Sequence, residues 1–136
     1  MLKKTITYTD YEGLTRTEDF FFNLTKAELL EWELGTEGGM QRLLEKIVAE
    51  NDRVKIVNMF KEIVMKAYGV KSPDGKRFIK VIDGHRVADD FVQTEAYSDL
   101  VMELLSDQDA AAKFVNGIVP KFEQSGAPVS FRQVNE

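Results

Sequence analysis

The sequence predicts an α+β fold, an N-terminal β-hairpin followed by a mainly helical bundle of five or six short helices, and two observations carry that expectation. Between residues 2 and 22 side-chain polarity alternates with period two about a central turn, as in half-buried strands. From 25 to 119 apolar residues recur instead at i, i+3, i+4 and i+7, the stripe of an amphipathic helix. At 136 residues, with 43% apolar and 30% charged side chains, the chain is sized for one domain and holds enough apolar material for a core. The expected division is a single domain over 1–120, with the hairpin at 2–22 and helices over 25–119, and a flexible C-terminal tail at 121–136.

Each element has a local reason. Leu2, Ile6 and Tyr8 fall on one side of the first strand and Lys3, Thr5, Thr7 and Thr9 on the other. Asp10-Tyr11-Glu12-Gly13 supplies the turn, Gly13 being able to take a positive φ. The second strand, Leu14 to Phe22, sets Arg16, Glu18, Phe20 and Phe22 against Thr15, Thr17, Asp19 and Phe21, so its first half is polar on both faces. Thr25 and Glu28 form a capping box, with Leu24 placed to staple from outside, and a helix is expected from Thr25 to about Leu34, ended by Gly35.

Beyond the break Thr36-Glu37-Gly38-Gly39, the residues Met40, Leu43, Leu44, Ile47 and Val48 fit the helical template in full. Asp52 caps a third helix bearing Ile56, Val57, Met59, Phe60, Ile63, Val64, Ala67 and Tyr68, which Gly69 is expected to close. Ser72-Pro73-Asp74-Gly75 is a turn, with Pro73 fixing φ and Gly75 accepting the left-handed region. Phe78 to Ile82 reads as a short strand or an extended connection, followed by one or two helical turns at Val87, Phe91 and Val92. Thr94 caps a helix carrying Tyr97, Leu100, Val101, Leu104 and Leu105. Ser106-x-x-Asp109 opens another with Ala111, Phe114, Val115 and Ile118, stopped by Pro120.

Composition excludes several function classes. Eighteen Lys and Arg against 23 Asp and Glu give a net charge of −5, unsuited to a mainly electrostatic grip on nucleic acid or an anionic membrane. With no cysteine and one histidine, His85, disulfides, thiolate metal sites, Cys nucleophiles and multi-histidine sites are out. No stretch of about 18 apolar residues is present, and the start, Met1-Leu2-Lys3-Lys4-Thr5-Ile6-Thr7, lacks the apolar run of a secretory signal.

The polar clusters read as structure before chemistry. Asp83, His85, Asp89 and Asp90 contain the pieces of an acid–base or metal site, but Asp83-Gly84 is turn chemistry and Asp89-Asp90 suits the wet side of a short helix. Asp74-Gly75-Lys76-Arg77 places two cations after a turn without the glycine spacing of a phosphate loop. Thr36-Glu37-Gly38-Gly39 precedes a helix N-terminus, where a sharp joint explains both glycines. No catalytic, cofactor-binding or metal-ligating set is therefore expected. The candidates for contact with a protein are the apolar segments: the hairpin edge at Phe20, Phe21 and Phe22, where alternation sends at least one ring away from the helices, and Phe114, Val115, Ile118, Val119 and Pro120. A two-stranded hairpin is marginal alone, so its edges are expected to pair within the bundle or through self-association or strand addition to a partner.

Several segments, in order, carry a resemblance. Tyr8-Thr9-Asp10-Tyr11, Thr17-Glu18-Asp19-Phe20-Phe21-Phe22-Asn23-Leu24-Thr25-Lys26-Ala27-Glu28-Leu29 and Glu33-Leu34-Gly35-Thr36-Glu37-Gly38-Gly39 come first. Lys66-Ala67-Tyr68-Gly69-Val70-Lys71-Ser72-Pro73-Asp74-Gly75-Lys76-Arg77-Phe78, Gln93-Thr94-Glu95-Ala96-Tyr97 and Lys113-Phe114-Val115-Asn116-Gly117-Ile118-Val119-Pro120 follow. From about residue 3 to 120 the chain resembles the tail assembly chaperones of long-tailed bacteriophages and prophages. The resemblance implies a non-enzymatic helper of tail morphogenesis in the cytoplasm of the bacterial host. Such a helper binds the tape measure protein, keeps it soluble, brings tail tube subunits to it and is not expected in the mature virion. It also implies a programmed frameshift giving a longer product, for which Val119-Pro120-Lys121 could be encoded by the slippery heptamer C CCA AAA. A small acidic domain suits the work, since many copies can cover apolar surface and stay soluble. The alternatives are a tail or head component retained in the virion, or a small regulatory binding protein. Against an enzyme or DNA regulator stand the lack of a convergent acid–base pair and of a basic recognition helix, since the second helix sets Arg42 and Lys46 beside Glu45.

Overall fold

The alternation of the first 22 residues becomes two antiparallel strands, β1 (Leu2–Thr9) and β2 (Thr15–Phe22), in register from Leu2 opposite Phe22 to Thr9 opposite Thr15. This is a computed structural model, and it describes residues 1–35, 49 and 52–120. The turn between the strands is tied by Asp10, whose carboxylate accepts the N–H groups of Glu12 and Leu14 at 2.9 Å each, while Gly13 takes φ +84°. The helix expected from Met40, Leu43, Leu44, Ile47 and Val48, the glycine break before it and the tail 121–136 lie outside the described residues.

The capping box forms as the spacing predicts. Glu28 N–H donates to Thr25 Oγ1 at 3.0 Å, and Thr25 N–H donates to Glu28 Oε1 at 2.8 Å, opening α1 (Lys26–Gly35). Leu24 and Leu29 are buried in one core on either side of that cap, where a hydrophobic staple belongs. Asp52 caps α2 (Arg53–Ala67) through the N–H of Val54, and Thr94 caps α4 (Glu95–Ser106) through that of Tyr97. Between them, α3 is the short Val87–Phe91. The last helix, α5 (Gln108–Ile118), is capped by the Asp107 side chain on Asp109 N–H and not by Ser106, because the carboxylate reaches the free N–H two residues on.

The region after α2 departs from the expectation. Tyr68 does not continue the helix and Gly69 does not close it in the left-handed conformation; Tyr68–Lys71 is a strand, β3, that starts directly after Ala67. It pairs with β2 through Phe21 opposite Gly69 and Phe22 opposite Tyr68. The glycine serves a close approach: a Cβ there would stand 2.6 Å from Phe78 Cε2 and 2.9 Å from the Ile79 carbonyl. Phe78–Ile79 forms β4 on the far side of β3, giving a four-stranded sheet in the order β1-β2-β3-β4. The expected extended run then breaks at Lys80, and β5 (Val81–Ile82) turns through Asp83 and Gly84, both at positive φ, into β6 (His85–Arg86).

Lys80 itself is a tie point. Its ammonium donates to the Asn23 carbonyl, the Lys66 carbonyl and Glu28 Oε2, each at 2.8 Å, joining the entry to α1, the end of α2 and the break between β4 and β5. The helices pack on one face of the sheet, α4 and α5 against β1 and α3 against β3. Phe22, Phe60, Ile63, Val64, Leu100 and Ile118 are the largest fully buried side chains. Around Phe22 the rings of Tyr68, Phe91 and Phe114 sit 5.7, 5.7 and 5.2 Å away in edge-on contact, so the sheet and the helices share one aromatic centre.

Candidate protein-binding surface

The pairing parity of β2 sorts the three phenylalanines. Phe20 and Phe22 point to the helices and are buried, whereas Phe21 lies half-buried on the opposite face, with Lys71 Nζ 4.4 Å from its ring centre. Along β1 and β2 the rest of that face is polar, while on β4 the Phe78 ring lies over Gly69 on the same side. Thr5 donates to Asp19 at 2.6 Å, the Thr7 and Thr17 hydroxyls meet at 2.9 Å, and Thr9 stands opposite Thr15.

The C-terminal candidates behave similarly. Phe114, Val115 and Ile118 are buried in the core, and Val119 and Pro120 are half-buried just beyond α5. The Ile118 carbonyl accepts from Leu24 N–H at 3.2 Å, and Gly117 lies so near Leu2 that a Cβ would stand 2.9 Å from its Cδ1. The two candidate segments do come together, Phe22 to Phe114, but through their buried side chains. Of the eight residues, Phe21, Val119 and Pro120 are the ones a partner can touch without opening the core.

The polar clusters resolve into local structure. His85 Nε2 lies within hydrogen-bond distance of Asp90 Oδ1 at 3.0 Å, and Arg86 forms an ion pair with Asp89 at 3.6 Å, two contacts between an exposed hairpin and the start of α3. Among the described residues no group of three or more His, Cys, Asp or Glu is placed to hold a metal ion. The carboxyls that shift move away from neutrality. A hydrogen bond from Arg16, aided by the backbone N–H groups of Leu14 and Glu12, holds Asp10 below the usual carboxylate range. The Ser72 hydroxyl, then the Lys76 N–H, does the same for Asp74. Tyr8 is raised chiefly by donating its hydroxyl proton to Glu18, Tyr11 by donating to Glu95, and Tyr68 and Tyr97 by burial.

Charge is segregated along the chain in a way the net value hides. Residues 66–86 carry Lys66, Lys71, Lys76, Arg77, Lys80 and Arg86 against Asp74 and Asp83. Residues 87–112 carry Asp89, Asp90, Glu95, Asp99, Glu103, Asp107 and Asp109 and no Lys or Arg. The first group sits on the β3–β4 side, where Val70, Val81 and Ile82 are exposed; the second decorates α3 to α5. On the β1 side a cleft of about 320 Å³ is lined by the apolar Leu2 and Phe114 and the carboxylates of Glu103, Asp107 and Asp109. Lys4 and Lys113 also line it, Lys4 being engaged with Glu103 at 2.9 Å.

Among the described residues no helix is long and apolar enough to cross a membrane. A family model described as phage tail assembly chaperone matches residues 1–128, extending past Pro120, where the resemblance read from the segments stops. No curated protein and no solved structure matches the chain.

Proposed function

This chain belongs to the phage tail assembly chaperone family, and we propose that it binds the tape measure protein, keeps it soluble and recruits tail tube subunits during tail morphogenesis. The observation that carries the reading is the family match across residues 1–128. On this reading the work is done by binding and not by turnover. It takes place in the cytoplasm of the bacterial host, and the protein leaves before the virion is complete. Residues 1–120 act as one domain, and any frameshifted product adds to the C-terminal side.

The contact surface we assign is the hairpin face at Phe21 together with Val119 and Pro120, with Phe20, Phe22, Phe114, Val115 and Ile118 forming the support beneath. A half-buried ring on a polar sheet face offers a small apolar anchor, which suits a partner that must later be released. The test is co-expression with the long helical protein encoded downstream. Co-purification, and solubility of that protein only in the presence of this chain, is the expected result. Equal insolubility with and without it overturns the reading and directs attention to mature particles.

A further inference from the structure

The sheet face turned away from the helices carries two aromatic rings at its basic end. Phe21 stands opposite Gly69 and Lys71 opposite Phe78, and paired residues share a face, as do residues two apart along a strand. Phe21, Lys71 and Phe78 therefore lie on one side, and Lys3, paired with Phe21 across β1, joins them. Gly69 leaves the middle of this row without a side chain, and the Phe78 ring occupies the space over it, its Cε2 2.6 Å from where a Cβ would stand. Both rings are half-buried, short of the burial that Phe20 and Phe22 reach on the helix side.

The charge around these rings is largely of one sign. Lys71 Nζ lies 4.4 Å from the Phe21 ring centre, and Lys3 and Lys71 are exposed with no carboxylate partner among the described residues. Asp19, the carboxylate that β2 places on this face, accepts a hydrogen bond from the Thr5 hydroxyl at 2.6 Å. Lys76 and Arg77, exposed on the turn into β4, extend the basic surface, in a chain whose net charge is −5. An ammonium over a ring with no counter-ion leaves two needs open side by side: a negative charge for the lysine and apolar cover for the ring.

We propose that this face binds an acidic segment of a client protein in which carboxylates alternate with apolar side chains, the carboxylates pairing with Lys71 and Lys3 and the apolar groups covering Phe21 and Phe78. The proposal rests on the protein-binding reading above and adds the chemistry of the segment bound. Opposite charge sets which segment is chosen and how fast it arrives, while the two rings supply the anchor. Single-stranded nucleic acid, another polyanion that uses rings and lysines, fits less well. Stacking a base on Phe21 would displace Lys71 from over the ring, and the net charge of −5 repels phosphate.

The test is fluorescence anisotropy with the full chain and labelled synthetic peptides built on repeats of Glu-Phe-Glu-Leu, Ser-Phe-Ser-Leu or Lys-Phe-Lys-Leu, with a uridine oligonucleotide as a further probe. The acidic peptide should bind in preference to the others and loosen as salt rises, and amide shifts in NMR should cluster at Lys3, Phe21, Gly69, Lys71 and Phe78. Lys71→Glu should weaken that binding by about tenfold or more. Lys3→Glu combined with Lys71→Glu should take up the Lys-Phe-Lys-Leu peptide instead, a gain that an unfolded chain cannot mimic. Equal binding of all three peptides, no binding of the acidic one, shifts on another face, tighter binding of the oligonucleotide, or unchanged affinity in the variants overturns the proposal. No tail protein enters the test, so its failure leaves the chaperone reading intact, whereas failed co-purification by a chain that binds the acidic peptide would fall on the choice of client alone.

Discussion

Replacing Lys80 by methionine removes the ammonium that joins three parts of the fold while keeping an unbranched apolar stem in place. The three acceptors, Asn23 O, Lys66 O and Glu28 Oε2, each lie 2.8 Å from Nζ. The Lys80 side chain is 19% exposed and Glu28 36%, so the ion pair is partly screened and its Coulombic share is to be discounted. Deleting a charged hydrogen-bonding group typically costs ~1.5–3 kcal/mol, and bonds sharing one donor group do not add in full. The loss expected for Lys80→Met is therefore about 2–4 kcal/mol, a large part of the ~5–15 kcal/mol that holds a domain together. Lys80→Arg should lose much of the same amount, because a planar fork does not replace a compact ammonium with three convergent acceptors.

Urea unfolding followed through Trp32 emission reads this directly. Trp32 is the single tryptophan and is 6% exposed, so its emission should shift to the red as the chain opens. The midpoint should fall with the denaturant slope unchanged. Lys76→Met, on the exposed turn, is the control and should stay within about 0.5 kcal/mol. A Lys80→Met variant as stable as that control would refute the assignment of Lys80 as a tie between the helices and the strand break.

Three other outcomes follow from the packing. Gly69→Ala should destabilise by about 2–3 kcal/mol in the same urea assay, since its Cβ would meet Phe78 at 2.6 Å and the Ile79 carbonyl at 2.9 Å. Ile118→Asp should lose the folded circular dichroism spectrum, because it buries a carboxylate at a fully enclosed site, whereas Phe21→Ser should keep the spectrum and lose tape measure co-purification. Asp74 is held below its ordinary pKa, so its contribution to stability is present above about pH 4 and is lost as pH falls toward the folded value. Asp74→Asn should therefore flatten the drop in urea midpoint below about pH 4 relative to the parent chain.

The elements that were legible in the sequence are those whose cause is local. Thr25 with Glu28, Asp52, Thr94 and the turns at Gly13 and Gly75 are each fixed by groups within four residues, and each forms as the spacing implies. β3 was hidden for the opposite reason. Tyr68 continues the apolar spacing of α2, and what turns it into strand is the edge of β2, some 46 residues earlier, where Phe22 pairs with it. Gly69 looked like a helix stop because a glycine there suits both a left-handed cap and a strand passing beneath a ring; the Phe78 contact decides between them.

The candidate surface was legible to the same limit. Strand parity alone says that Phe21 leaves the face shared by Phe20 and Phe22, and the structure places it there. Parity does not say which face meets the helices, nor that α5 closes the core. That depends on Gly117, whose missing side chain lets α5 approach Leu2, and on Leu24, whose N–H reaches the Ile118 carbonyl. Once α5 is seated, Phe114, Val115 and Ile118 are committed to the interior, and substitutions there act on folding before they can act on a partner. Substitutions at Phe21 or Pro120 are free of that coupling to a first approximation, whereas Val119 packs against the edge of the core. A partner-binding defect that appears at Phe21 or Pro120 with the fold intact therefore reports on the surface itself, which a change at the other six cannot do as cleanly.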